Sequence, residues 1–167
     1  MTTTSDPART RTYAWQDPLA TAQRARGLTG LEFLRKIVAG ELPPPPIADT
    51  LDYTLLEVDE GRAVFGIEPA EIHYNPIGMV HGGIPCTLLD SAMGCAVHST
   101  LPLGVGYTTL ELKVNIVRAI GKDTGFLRAE GRLIHAGRST AVAEGRLTDA
   151  SGKLYAHATT TCMILRP

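Results

Sequence analysis

The chain has almost no net charge: 16 Lys and Arg stand against 17 Asp and Glu, leaving −1 at pH 7. That balance excludes the basic footprint expected of a protein that binds nucleic acid or an anionic membrane. No apolar run reaches the roughly 18 to 20 residues of a transmembrane helix, so none is expected. Met1 to Asp17 carries scattered arginines but no hydrophobic stretch, so it does not read as a secretory signal. Cysteine is scarce and odd in number, three residues without a framework pattern, which points to reduced thiols and a cytoplasmic address. Cys86, Cys95 and Cys162 lack metal-ligand spacing, and the five histidines are scattered with no HExxH pair, so no metal is expected. Internal repeats and βαβ alternation are absent too. At 167 residues the chain is long enough to bury one real core.

What is present begins with a polar, Thr/Ser/Arg-rich stretch over residues 1–16, expected to be poorly ordered. Asp17-Pro18 reads as an N-cap followed by proline at the first helical position, with Gly27 as the stop. Thr29 and Glu32 form a capping box that opens a second short helix. It carries Leu31, Leu34, Ile37 and Val38 on one face and ends at Gly40. Pro43 to Pro46 read as a stiff extended spacer that separates this arm from the folded body. The arm reads as a solvent-covering helix, with a lid as the alternative. An extension over 1–46 therefore precedes a domain over 47–167.

Within the domain, Leu51 to Val58 and Arg62 to Ile67 read as strands joined by Asp59-Glu60-Gly61. A loop follows over Glu71 to Met79. Four later strands are expected over Thr109–Ile116, Gly125–Ile134, Thr140–Thr148 and Lys153–Leu165, the first alternating apolar with polar. One face of the last three is unusually small: Ala129 and Gly131, Ala141, Ala143 and Gly145, Ala156 and Ala158. Small residues on alternate positions let a helix lie close against a sheet. The order of two strands, one helix and four strands gives an α+β fold, an antiparallel sheet curled around a long central helix.

That helix spans His81 to His98 and is apolar nearly all the way round, as a central buried helix should be. Pro85 is tolerated because it lies in the first turn. One ionisable carboxylate, Asp90, stands in it, and Thr87, Ser91, Gly94 and His98 share its narrow polar stripe. Position alone leaves two readings of Asp90 open: a tied-off structural carboxylate, or a catalytic one. At the helix N-terminus, the backbone N–H groups of Gly82 and Gly83 are free of intrahelical partners and suit a developing oxyanion. Gly82 and Asp90 lie roughly 12 Å apart along the helix at 1.5 Å per residue. One carbonyl cannot contact both, so if they cooperate Asp90 comes from a second subunit whose helix runs antiparallel across a two-fold axis.

These residues resemble the PaaI-type thioesterases of the hotdog-fold superfamily. The match runs through Asn75-Pro76-x-Gly78-x-x-His81-Gly82-Gly83, then Leu88-Leu89-Asp90-Ser91-Ala92-Met93-Gly94, then Thr109 and the strand end Asn115-Ile116-Val117-Arg118, and covers residues 50–165. The resemblance implies hydrolysis of an acyl- or aryl-CoA thioester to a carboxylate and free CoA, without cofactor or metal. Asp90 matches the catalytic acid, as general base or nucleophile, and Gly82 the donor to the thioester oxygen. Asn75 matches a side chain that orients carbonyl or water, His81 a supporting group, and Thr109 a hydroxyl that holds the water. Gly83, Arg118, Arg138 and Ser139 are the candidate contacts to the CoA portion. Forked arginine donors suit phosphate, and solvated surface arginine is the other reading. The implied assembly is a homodimer with shared sites, paired into a homotetramer.

Two other classes share the fold. A non-catalytic acyl-CoA-binding domain would not need Asp90, and a hydratase or dehydratase would place its His and Asp differently. Cys95 and His98 could be read as a thiol–imidazole pair, but without a third orienting group they read as core. Cys86 and Met93 also read as core, and His73 and Tyr74 as surface residues flanking the active loop.

Overall fold

The structure, a computed structural model, describes residues 9–167. The polar tail expected over 1–16 thus lies partly outside the described residues. Its remainder is an irregular strap tied to the body. Arg9 Nε donates to Glu71 Oε1 at 2.7 Å, and the Arg11 guanidinium donates to the carbonyls of Thr50 and Asp49, both at 2.8 Å.

Three short helices open the fold: α1 (Pro18–Arg24), α2 (Gly30–Val38) and α3 (Pro46–Leu51). Their starts are those that the residues prescribe. The Asp17 carboxylate accepts from Leu19 N, and Thr29 and Glu32 close a complete capping box. The proline run is shorter as a spacer than expected, because Pro46 is the first residue of α3, where a fixed φ and a missing N–H suit the first helical turn. That helix displaces the first strand's start from Leu51 to Tyr53. Nor does the run hold the arm apart from the body. Leu34, Leu42 and Ala48 are all buried, Leu34 and Ala48 within the main core.

The body is β1 (Tyr53–Asp59), β2 (Arg62–Ile67), α4 (Gly83–His98), β3 (Gly106–Ile116), β4 (Leu127–Ala136), β5 (Thr140–Asp149) and β6 (Leu154–Leu165). The strands form one antiparallel sheet in the order β1-β2-β4-β5-β6-β3, so β1 and β3 are its edges. β3 starts three residues earlier than its alternating pattern and pairs with β6 from Gly106 onward. The sheet wraps α4, whose Leu88, Leu89, Ala92, Met93, Ala96 and Val97 are essentially inaccessible.

The small face of the sheet is what admits α4. A methyl group placed on Gly131 would lie 2.3 Å from both the carbonyl carbon and the oxygen of Ala92, and one on Gly145 3.0 Å from the Leu89 and Met93 side chains. Ala129, Ala141, Ala143, Ala156 and Ala158 complete this surface, all fully buried. The expectation of a sheet curled closely around the helix is met.

Candidate active site

α4 and β3 run antiparallel, so successive positions on the helix face successive positions on the edge strand. Near the helix C-terminus, Gly94 abuts the Tyr107 ring. One turn earlier, Thr109 Oγ1 donates to Asp90 Oδ1 at 2.9 Å. At the helix start, Gly82 lies against Ile116. The structure thus joins Asp90 to Thr109 directly and leaves Gly82 at the other end of a continuous helix, roughly 12 Å away.

Asp90 is half-buried and keeps its second carboxylate oxygen free of protein partners among the described residues. Beside it Ser91 Oγ pairs with the Tyr53 hydroxyl at 3.1 Å. Burial raises the Tyr53 phenol above its ordinary value and raises that of Tyr107 further, so both are neutral hydroxyls here. Asp90, Ser91, Cys95 and His98 line one cavity of about 340 Å³, whose other walls are largely apolar. Cys95 and His98 are therefore cavity-lining rather than plain core. Burial pushes the Cys95 thiol up to about 12, which removes it as a nucleophile, and no hydrogen bond joins it to His98. Cys86 is likewise raised by burial.

The second cluster surrounds the N-terminus of α4. Asn75 Oδ1 accepts from the N–H groups of Ile77 and Met79, both at 3.1 Å, and Asn75 N donates to Met79 O at 2.7 Å. Two backbone donors fix which side-chain atom faces the loop, so the amide nitrogen points away from them as a donor without a partner among the described residues. Tyr74 and Val80 bridge the base of this loop. His73, expected at the surface, is 4% exposed and holds the loop in place. Its Nδ1 accepts from Ala70 N at 3.0 Å, its Nε2 meets Leu51 O at 3.0 Å, and its carbonyl accepts from His81 N at 2.8 Å. Burial lowers its pKa from the ordinary imidazole value, with the Leu51 carbonyl opposing.

One expectation at this terminus is corrected. Gly82 and Gly83 were both expected to present free N–H groups. Gly83 N instead donates to His81 Nδ1 at 2.9 Å. A histidine two residues back acts here as a local cap, as Asx side chains do, and leaves Gly82 N–H as the donor without a partner among the described residues. Gly82 shares a groove with Met79, Val80, Ile116 and Arg118.

Arg118 and Arg138 are not brought together within one chain. The Arg118 guanidinium donates to Leu154 O at 2.5 Å, whereas Ser139 O accepts from Ile164 N at 2.9 Å beside Arg138. Leu154 and Ile164 stand at opposite ends of β6, up to roughly 33 Å apart at 3.3 Å per residue. Arg118 therefore accompanies Gly82, while Arg138 and Ser139, both exposed, lie toward the end of the sheet that holds Thr109. Motif reading had no access to Tyr53 and Tyr107. Tyr53 is 38 residues from Ser91 in sequence, and no motif links the two.

Comparison with known proteins bears on the family and the fold. Residues 77–156 match the family model described as Thioesterase superfamily. The 1,4-dihydroxy-2-naphthoyl-CoA hydrolase of Listeria monocytogenes is 28% identical over 108 residues, 65% of this chain and 86% of that protein. A solved phenylacetic acid degradation-related protein from Ralstonia eutropha is 33% identical with a TM-score of 0.70, over 78% of this chain and 98% of that one. The PaaI protein of E. coli shares the fold at 21% identity and a TM-score of 0.68, covering 78% of this chain and 91% of that one.

Proposed function

We infer from its place in the thioesterase superfamily, to which this chain belongs, that it is an acyl-CoA thioesterase working through Asp90 and Gly82. The observation that carries the reading is Asp90 itself, a half-buried carboxylate held by Thr109 at an apolar cavity with one oxygen left over. Thr109 occupies Oδ1, so Oδ2 is the atom that takes a proton from water. The hydroxide adds to the thioester carbonyl, whose oxygen gains charge against Gly82 N–H and the Asn75 amide. The C–S bond then breaks, and the CoA thiolate leaves with the proton that Asp90 returns. Direct attack by Oδ2, followed by hydrolysis of the resulting anhydride, uses the same atoms. No cofactor is required. His81 supports the site as the local cap that fixes the Gly82-Gly83 turn, and Gly83 acts through that turn rather than as a donor.

The two half-sites on one helix support a homodimer in which the Asp90 of one subunit serves the Gly82 of the other. β3 is an open edge strand with Leu110 and Ile116 exposed, and Val117 just past its end, which suits pairing with a second copy. Such pairing sets Arg118 of one subunit with Arg138 and Ser139 of the other, and these carry the CoA phosphates. Two dimers pair into a tetramer. We read 47–167 as the catalytic domain and the residues before it as its N-terminal extension, with Pro46 opening α3 at the junction. Three free thiols suit a cytoplasmic address.

The test is release of free thiol from a panel of acetyl-, octanoyl-, palmitoyl-, benzoyl- and naphthoyl-CoA. Hydrolysis of at least one, lost in Asp90→Asn, is expected. Steady turnover retained by Asp90→Asn would overturn the mechanism.

A further inference from the structure

The cavity beside Asp90 runs along α4 to His98, roughly 12 Å at 1.5 Å per residue. Its inner wall is α4, β1 and β2, through Tyr53, Leu55 and Phe65. Its outer wall is the N-terminal extension: Pro18 and Ala22 of α1, Phe33 and Ile37 of α2, and the proline run to Pro46. These outer residues all precede β1, so this wall is built by the part of the chain ahead of the sheet.

The wall is fixed rather than draped. Gly30 N donates to Leu101 O at 3.1 Å, and a methyl group on Gly30 would lie 1.8 Å from His98 O. α2 can seat against the end of α4 only with glycine there. Phe33 then packs on the His98 ring at 5.7 Å, and Leu34 is 2% exposed. Arg24 donates to Glu41 O at 2.9 Å, which ties α1 to the turn after α2.

We propose that α1, α2 and the proline run form a size-selecting end wall for the acyl group, so that the enzyme takes a compact apolar acyl group and rejects long chains. The proposal rests on the thioesterase reading above. The cavity volume of about 340 Å³ sets the size. An apolar cavity of about 150 Å³ takes up one benzene ring. Somewhat more than twice that space suits two fused rings or a medium-length chain. Asp90 and Ser91 mark the end where the thioester must lie, with the Tyr53 and Tyr107 hydroxyls and His98 also on the inner wall, while α2 and the proline run offer the acyl group only apolar surface.

The test compares kcat/KM across the same CoA panel in wild type, Ile37→Ala, Phe33→Ala and Ile37→Trp. Opening the wall with either alanine should raise the palmitoyl-to-octanoyl ratio about tenfold, the usual scale for one or two methylenes of pocket space. Filling it with Ile37→Trp should lower the naphthoyl-to-acetyl ratio by a similar factor. Ratios unchanged in the alanine variants, with hydrolysis still lost in Asp90→Asn, overturn the wall but not the thioesterase. If no thioester is turned over, a calorimetric titration with a non-hydrolysable naphthoyl-CoA thioether reads the wall by itself. Binding weakened about tenfold by Ile37→Trp supports it, and equal binding overturns it. Should the tryptophan variant not fold, the same titration with a palmitoyl thioether reads the alanine variants, where tighter binding is the supporting result and unchanged binding the overturning one.

Discussion

Thr109 Oγ1 lies 2.9 Å from Asp90 Oδ1, and this hydrogen bond joins the middle of the central helix to the exposed edge strand of the sheet. A bulge in β3 between Thr109 and Glu111 leaves Leu110 outside the ladder, 57% exposed, and changes the pairing register just past Thr109. The acid is thus oriented by the sheet's exposed edge strand, the strand through which the proposed dimer would pair.

Removing that hydroxyl should cost rate more than stability. Thr109→Val keeps the shape but leaves Asp90 free to rotate. A loss of about tenfold in kcat, near 1.4 kcal/mol, is expected with KM little changed. Thr109→Ser should recover most of it. Steady-state kinetics on the best substrate of the panel checks both, and a valine variant with wild-type kcat would show that Asp90 needs no such positioning.

Composite sites predict complementation. Asp90→Asn and Asn75→Ala chains are each expected to be inactive alone. Refolded together, their heterodimers contain one site with intact Asn75 from one chain and intact Asp90 from the other. Thiol release should return only in the mixture. If mass spectrometry shows heterodimers and no activity returns, sharing of sites across the interface is wrong.

Much of this was legible in the residues because local physics decided it. The Thr29–Glu32 box fixes the start of α2, and the alternate small residues from Ala129 to Ala158 require a helix packed closely on the sheet. The misread positions are those where distant packing decides. Pro46 looked like the end of a spacer because proline suits both an extended run and a first helical turn, and only the burial of Ala48 selects the turn. His73 looked like surface because its partners, Ala70 and Leu51, come from backbone that no side-chain pattern reports. The Gly83 N–H was spent by a neighbour, His81, whose ring orientation is not written in its spacing. The family resemblance brings Thr109 into the site only as a hydroxyl that holds the water; its bond to Asp90 Oδ1 is written in neither motif nor periodicity.

Close helix–sheet contact makes Gly131 a sensitive position. Its added methyl would meet main-chain atoms of Ala92, which cannot turn aside as a flexible side chain can. Gly131→Ala should therefore destabilise by about 3 kcal/mol, the upper end for overpacking. Gly137→Ala, in the β4–β5 turn and away from α4, is the comparison and should cost less. Urea unfolding of the two variants measures the difference, and equal midpoints would mean that α4 can shift off the sheet at little cost.

The imidazoles of buried His73 and half-buried His98 are expected to set the acid limit of stability. Burial is the leading cause that lowers the pKa of both His73 and His98 below the ordinary value of about 6.5. Above that value both are neutral in the folded and the unfolded chain, and stability is full. As pH falls below it, the unfolded chain takes up protons that the folded chain refuses, so stability declines until the lower folded values are passed. A later decline is expected below about 4.5, where Glu57 of the unfolded chain takes up a proton while Arg128 and Arg62 hold the folded chain's Glu57 pKa lower. His98 packs between Phe33 and Tyr107 with ring separations of 5.7 and 5.5 Å, so phenylalanine can take its place. In His98→Phe the fall in Tm between pH 7 and pH 5 should be shallower than in wild type, with the decline below pH 4.5 unchanged. Parallel Tm–pH curves for the two proteins would show that the imidazole at position 98 does not set the acid limit.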